Sequence, residues 1–202
     1  MEYWHDIITE KSWNVLQQIR KEFNFILIGG WAIYLYTKGF KSKDVEIIVD
    51  FETLNKIRKS HNLIKNDNLK KYEIKIDEID IDIYVKNYSK LPLPIEEIEK
   101  NTNSIEGFII VKPEILLIAK QTAEINRKNT EKGIKDRIDI INLLIKGNIN
   151  FNFYYELIKK YDLLDYRNTL INLIKDFNEY DKLNLNPREY KLIKLNLLKE
   201  LK

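Results

Sequence analysis

The sequence contains no cysteine, which excludes disulfides, cysteine-type zinc sites and thiol nucleophiles at once. Its histidines, His5 and His61, stand isolated; without cysteine they cannot furnish a typical zinc site. Proline and glycine are scarce, at 4 and 6 residues, so each one that is present marks a turn or an element end. No apolar run approaches the roughly 20 residues that a membrane-spanning helix needs. The stretch Met1 to Asp6 lacks the basic-then-apolar pattern of a signal peptide. A cytoplasmic protein with no membrane partner is the expectation. An excess of charge of one sign is also missing. Lys and Arg number 34 against 31 Asp and Glu, for a net +3, so total charge gives no argument for nucleic-acid binding. The stretch from Arg188 to Lys202 is distinctly basic, which reads as a solvated helix face.

What is present is a chain of 202 residues, 44% hydrophobic and 32% charged. That is enough to bury a core and cover it with charge. Ile8, Trp13, Leu16, Ile19 and Phe23 recur at helical spacing and predict an amphipathic helix over about 7–23. Phe25 to Ile28 reads as a short buried strand, stopped by Gly29-Gly30, with a helix over Trp31 to Tyr36. Val45 to Val49 is a second strand, and Glu52 to Lys59 a helix. From Tyr72 to Val85 two strands are expected. Ile74 and Ile76 share one parity and Ile79, Ile81, Ile83 and Val85 the other, so a tight turn or bulge must fall at Asp77-Glu78. Pro92 and Pro94 mark a loop, Gly107 to Val111 a last strand, and Pro113 the first turn of a helix. The rest reads as helices at 132–145, 151–161, 163–177 and 188–201. The fold class is therefore α+β: a core over 1–111 with a short mixed sheet flanked by helices, then a helical half over 112–202.

Three features carry chemistry. Gly29-Gly30 sits between strand and helix, where glycine admits close approach of a ligand and the helix start offers free N–H groups to a phosphate. Such a turn is, taken alone, more often only a turn. Asp44 and Glu46 lie two apart on a strand and so share a face. Adjacent carboxylates repel unless a cation lies between them, and Mg²⁺ takes oxygen ligands of this kind. The plain reading is an acidic strand end in solvent. Asp80, Asp82 and Tyr84 face away from the isoleucines of their strand; Asp82 is the candidate third carboxylate, with Asp80 in reserve. Trp4, Trp13 and Trp31 read as packing residues, as do Tyr154, Tyr155, Tyr161 and Tyr166, and Arg137 as a solvated surface residue.

Taken together, the run Ile28-Gly29-Gly30-Trp31-Ala32 followed by Ser42-Lys43-Asp44-Val45-Glu46-Ile47-Ile48-Val49 resembles the signature of the nucleotidyltransferase superfamily, the fold of polymerase beta. Glu46 stands where that signature more often has Asp. The segment Val111-Lys112-Pro113-Glu114 through Lys120, with Lys132-Gly133-Ile134-Lys135-Asp136-Arg137-Ile138-Asp139, is similar to AbiEii-type toxin nucleotidyltransferases, read as a strand, Pro-Glu and a helix ending in Lys. The resemblance implies transfer of a nucleoside monophosphate from a nucleoside triphosphate, with two Mg²⁺ ions held by Asp44, Glu46 and Asp82. It implies nucleotide contacts from Gly29, Gly30, Lys43, Lys120, Lys135 and Asp136, with Asp139 around the same pocket. It implies tRNA as acceptor and an antitoxin protein as partner. A small hydroxylated acceptor, as in the antibiotic nucleotidyltransferases, and a non-catalytic binding module are the alternatives. A different reading of Lys132, Lys135, Asp136 and Asp139 is surface pairing at i, i+3 and i, i+4.

Overall fold

The structure, a computed structural model, describes the backbone of residues 2–201 and side chains from Asp6 onward; Trp4 and His5 fall outside the described side chains. The chain divides into two compact units, Met1–Lys112 and Pro113–Lys202.

The first unit begins with α1 (Glu2–Glu22), β1 (Ile26–Ile28), α2 (Gly29–Thr37), β2 (Val45–Val49) and α3 (Phe51–Ser60). It continues with β3 (Ile64–Asn66), β4 (Lys71–Ile76), β5 (Ile79–Val85), α4 (Ile95–Lys100), β6 (Thr102–Ile105) and β7 (Phe108–Val111). The strands form one sheet in the order β3-β4-β5-β2-β1-β7-β6. It is mixed: β2 runs parallel to β5 and β1 parallel to β7, while the other neighbours are antiparallel. Register sorts the side chains by face. Leu27 opposes Ile47 and Ile110, Val45 opposes Ile81, Ile47 opposes Ile83, and Ile74 opposes Ile81. All of these are buried, and they form the apolar face. α1 contributes Val15, Leu16 and Ile19 to the same core. Trp13 and Trp31 pack at 5.0 Å between ring centroids, and the Trp31 indole N–H donates to Ser12 Oγ at 2.8 Å. Trp13 and Trp31 are thus packing residues, with the Trp31 indole N–H satisfied inside.

The parity change at Asp77-Glu78 is resolved as a two-residue turn with both residues left-handed, φ 46° and 70°. Such a turn matches the twist of the flanking strands. Glu106-Gly107 makes a second turn of this kind, φ 51° and 78°, held by Arg20, which donates to the Glu106 carbonyl at 2.9 Å and lies over the Phe108 ring. Three elements go beyond the sequence expectation: β3, α4 and β6. Pro92 and Pro94 lie in a loop, as expected, and Pro94 is the cap residue from which α4 continues.

The second unit comprises α5 (Pro113–Arg127), α6 (Glu131–Lys146), α7 (Phe151–Lys160), α8 (Asp165–Asp176), a 3-10 turn (Tyr180–Leu183) and α9 (Pro187–Glu200). α5 starts at Pro113 as expected, but it runs seven residues past Lys120, so that lysine is mid-helix. Thr130 caps α6 by accepting from the Gly133 N–H. Asn186 caps α9 in a reciprocal box with Glu189. Tyr154 is fully buried, its hydroxyl donating to Gln121 Oε1 at 2.7 Å, and so belongs to the core. No described helix is long and apolar enough to cross a membrane.

Candidate functional site

The face of the sheet opposite the isoleucines carries the acids. Glu46 on β2 and Asp82 on β5 are direct partners across a parallel pair, and Asp82 is opposite Glu73 on β4. Three neighbouring strands therefore place Glu73, Asp82 and Glu46 in one row on one face. Asp44 lies in the bend just before β2, exposed, and its charge reaches Asp82. Asp80 is on the same face but one pair nearer the hairpin, exposed and ion-paired with Lys75 at 3.2 Å. Pairing thus puts Asp82, and not Asp80, in register with Glu46.

Gly29 and Gly30 close the other side. Ile28 opposes Glu46 in the antiparallel pair of β1 and β2, so the chain leaves β1 beside the acid. Gly29 has φ +66°, and a Cβ there would lie 1.7 Å from Glu46 Oε2. A Cβ on Gly30 would lie 2.6 Å from the Oγ of buried Ser42. At Gly29 the left-handed backbone favours glycine, and a Cβ would push the Glu46 carboxylate aside; at Gly30 a Cβ would meet both Oγ and Cβ of Ser42. α2 starts at this point; its N-cap residue Ile28 gives no side-chain hydrogen bond and its first turn holds no acid, so the acid set against its positive dipole end is Glu46, from β2. Lys43 is exposed in the bend beside Asp44.

Three residues of this face, Glu73, Lys71 and Asn66, were not singled out from sequence. Lys71 Nζ lies 2.6 Å from Asp82 and 3.0 Å from Glu73, with only 13% of its side chain exposed. Asn66 donates to the Glu73 carboxylate at 3.0 Å. Burial raises the Asp82 pKa; Lys71 opposes that shift, while Glu73 and Asp44 add to it. Burial likewise works against charge on Lys71, but its bonds to Asp82 and Glu73 prevail and raise its pKa. Tyr84 follows Asp82 on the same face; burial first, then the charges of Glu46, Asp82 and Glu73, raise its pKa. Its hydroxyl stays protonated, a donor among carboxylates. The alternation Lys71, Glu73 was a visible signal, but its meaning depends on hairpin register.

Oxygen donors from adjacent strand ends suit Mg²⁺ in kind, and a cation, the Lys71 ammonium, already sits against Asp82. The side chains fit as a donor set rather than as a finished cage: among the described residues no three His, Asp or Glu groups converge on one metal position. Asp82 is turned toward Lys71 and Glu46 lies over Gly29.

In the helical unit, Lys120 Nζ contacts Asp136 Oδ1 at 3.1 Å and Asp139 Oδ2 at 2.8 Å. The second contact is an ion pair without hydrogen-bond alignment, since Oδ2 makes no hydrogen bond. Arg127 donates to both Asp136 oxygens, at 2.6 and 2.9 Å. Asp136 and Asp139 are buried, so they are not surface pairs. Lys135 is half-buried on α6. Arg137 is mostly covered and bridges Glu124 and Glu179 at 3.2 and 3.4 Å, so it is not a solvated residue. His61 ends α3 and packs against Phe23.

No protein-family model matches this sequence, and no curated protein matches it. Solved structures do. JHP933 from Helicobacter pylori shares 17% identity over 96% of this chain and 93% of its own, with a TM-score of 0.53. A candidate nucleotidyltransferase from H. pylori shares 18% identity over 96% and 94%, with a TM-score of 0.54. At these identities the likeness is one of fold. The α+β architecture with its seven-stranded mixed sheet is a nucleotidyltransferase-like fold.

Proposed function

We propose that this protein transfers a nucleoside monophosphate from a nucleoside triphosphate to an acceptor hydroxyl. One observation carries the reading: Glu46 and Asp82 are register partners on parallel central strands, with Asp44 beside them and a Gly-Gly helix start packed directly on Glu46. In the reaction the acceptor oxygen bonds to the α-phosphorus, the bond from that phosphorus to the bridging oxygen breaks, and pyrophosphate leaves. Asp44, Glu46 and Asp82 are the residues that would hold Mg²⁺. Bound there, the ion supplies the positive charge that offsets charge building on the phosphoryl oxygens.

The chain's own groups do the remainder. The N–H groups at the start of α2 offer donors to the triphosphate, with Lys43 alongside. Asp82 orients the acceptor hydroxyl or receives its proton. Tyr84 keeps a protonated hydroxyl on the face that carries the acid row. The finer reading is a tRNA acceptor and an antitoxin partner. It rests on the similarity of residues 111–120 and 132–140 to AbiEii-type toxins. Lys120, Lys135 and Asp136 enter it as nucleotide contacts, with Lys120 borrowed from its pair with Asp136.

The test is transfer of label from α-³²P nucleoside triphosphates with Mg²⁺ into tRNA, into the protein and into small hydroxylated molecules. Label should appear in tRNA and fall at least about a hundredfold with Asp44→Ala, since charge stabilisation by a held metal is worth several kcal/mol. Label in a small molecule would correct the acceptor class. Absence of label everywhere, with nucleotide still bound, would replace the enzyme reading by that of a binding module.

A further inference from the structure

Lys71 is poorly explained as a surface ion pair. Its ammonium sits between two carboxylates, 2.6 Å from Asp82 and 3.0 Å from Glu73, under 13% exposure. Both acids belong to the row that continues to Glu46, with Asp44 close by. Four carboxylates on one patch of sheet repel strongly unless cations lie among them. Lys71 is the cation seated at Asp82.

We infer that Lys71 is a built-in counter-cation of the site: its ammonium competes with the divalent ion for Asp82 and gives way when that ion arrives. The inference rests on the proposed transferase reading and adds a means of controlling the site. With the ammonium 2.6 Å from Asp82 Oδ2, that oxygen already holds a cation supplied by the chain itself. The device can move. Lys71 is the first residue of β4, directly after the turn at 67–70, in which Lys70 has φ 51°. β3, its neighbour, is only three residues long and forms the edge of the sheet. A lysine carries its charge on a flexible four-carbon stem, so the ammonium can leave Asp82 while keeping Glu73. Asn66 steadies Glu73 by donating to it, which fixes the second seat. The consequence is an ion site kept weak until nucleotide phosphates add their own oxygens.

The experiment is titration of the full chain with Mn²⁺, following the free-ion signal by electron paramagnetic resonance. The proteins are wild type, Lys71→Met, Lys71→Gln, Lys71→Arg, Asp44→Ala, Asp82→Asn and the Lys71→Met/Asp82→Asn double variant. Thermal unfolding confirms that each is folded. Removing a positive charge at this distance should tighten Mn²⁺ binding about tenfold or more in Lys71→Met and Lys71→Gln. Lys71→Arg should bind as wild type does, and the double variant should lose the gain. Equal or weaker binding by Lys71→Met and Lys71→Gln, with binding still abolished by Asp44→Ala, overturns the inference and leaves the transferase reading standing. A gain that survives Asp82→Asn also overturns it. No Mn²⁺ binding by any form removes the divalent-ion site and the inference together.

Discussion

Glu46 owes its position to a residue that has no side chain. Gly29 is left-handed, and a Cβ there would fall 1.7 Å from the Glu46 carboxylate. Gly29→Ala should therefore do two things. It should lower stability by roughly 1–2 kcal/mol, the cost of a left-handed non-glycine residue, read from a urea melt. It should also displace Glu46 and reduce nucleotidyl transfer well beyond what that stability loss explains. Transfer at the wild-type rate in the folded variant would show that this placement of Glu46 is immaterial. The acids were legible at this scale because strand parity puts i and i+2 on one face. Glu46 and Asp82 could be read that way; Asp44, expected on the same strand as Glu46, lies in the bend before β2, where parity does not place it. The turn at Asp77-Glu78 also sets Glu73 opposite Asp82, but the reach of Lys71 to both acids could not be read, since it depends on how that side chain packs. The glycines were legible as a turn, but their contacts with Glu46 and Ser42 were not, because a Cβ clash exists only between residues that folding brings together.

At the scale of elements, strong periodicity or a Gly or Pro boundary made a segment readable, and weak burial hid it. β2 occupies Val45–Val49 because its residues are apolar and bounded by acids. β3 and β6 escaped because Ile64-Lys65-Asn66 and Thr102-Asn103-Ser104-Ile105 bury little and are held chiefly by main-chain pairing at the two sheet edges. Immediately after β2, α3 starts at a cap: Asp50 accepts from the Thr53 N–H at 2.7 Å. Asp50→Ala should cost about 1 kcal/mol at neutral pH, the usual worth of such a cap. The Thr53 backbone hydrogen bond lowers the Asp50 pKa below 3.8. A carboxylate with a depressed folded pKa gives stability that is present above the unfolded value and lost as pH falls through the folded one. Most of the gap between wild type and Asp50→Ala should therefore hold above about pH 4 and narrow below it, as denaturant melts across that range would show. A gap that stays constant into strong acid would mean that the ionised form contributes nothing special.

For the whole molecule, the organising fact is that each unit has its own means of cohesion. The first is held by a sheet whose apolar face is continuous from Leu27 through Val45 and Ile81. The second holds charge inside: Asp136, 1% exposed, takes two bonds from Arg127 and one from Lys120, sixteen residues earlier in the chain. Sequence alone left Asp136 and Asp139 equally readable as surface pairs, because i, i+3 and i, i+4 spacing says nothing about whether a second helix covers that face. The α5–α6 hairpin decides it. Removing one member of a buried ionic cluster leaves the others desolvated and unpaired, at a cost of about 3 kcal/mol. Asp136→Asn keeps the shape and removes the charge, so the loss should appear locally. In amide hydrogen exchange, protection should fall in α5 and α6 by a factor of about a hundred, while β2 and β5 keep theirs. If protection fell equally in the sheet, the two units would unfold as one, and the cluster would be stabilising the entire chain. If it fell nowhere, the cluster would be kept for what Lys120 and Asp136 do with nucleotide, and Asp136→Asn should then depress transfer without touching stability.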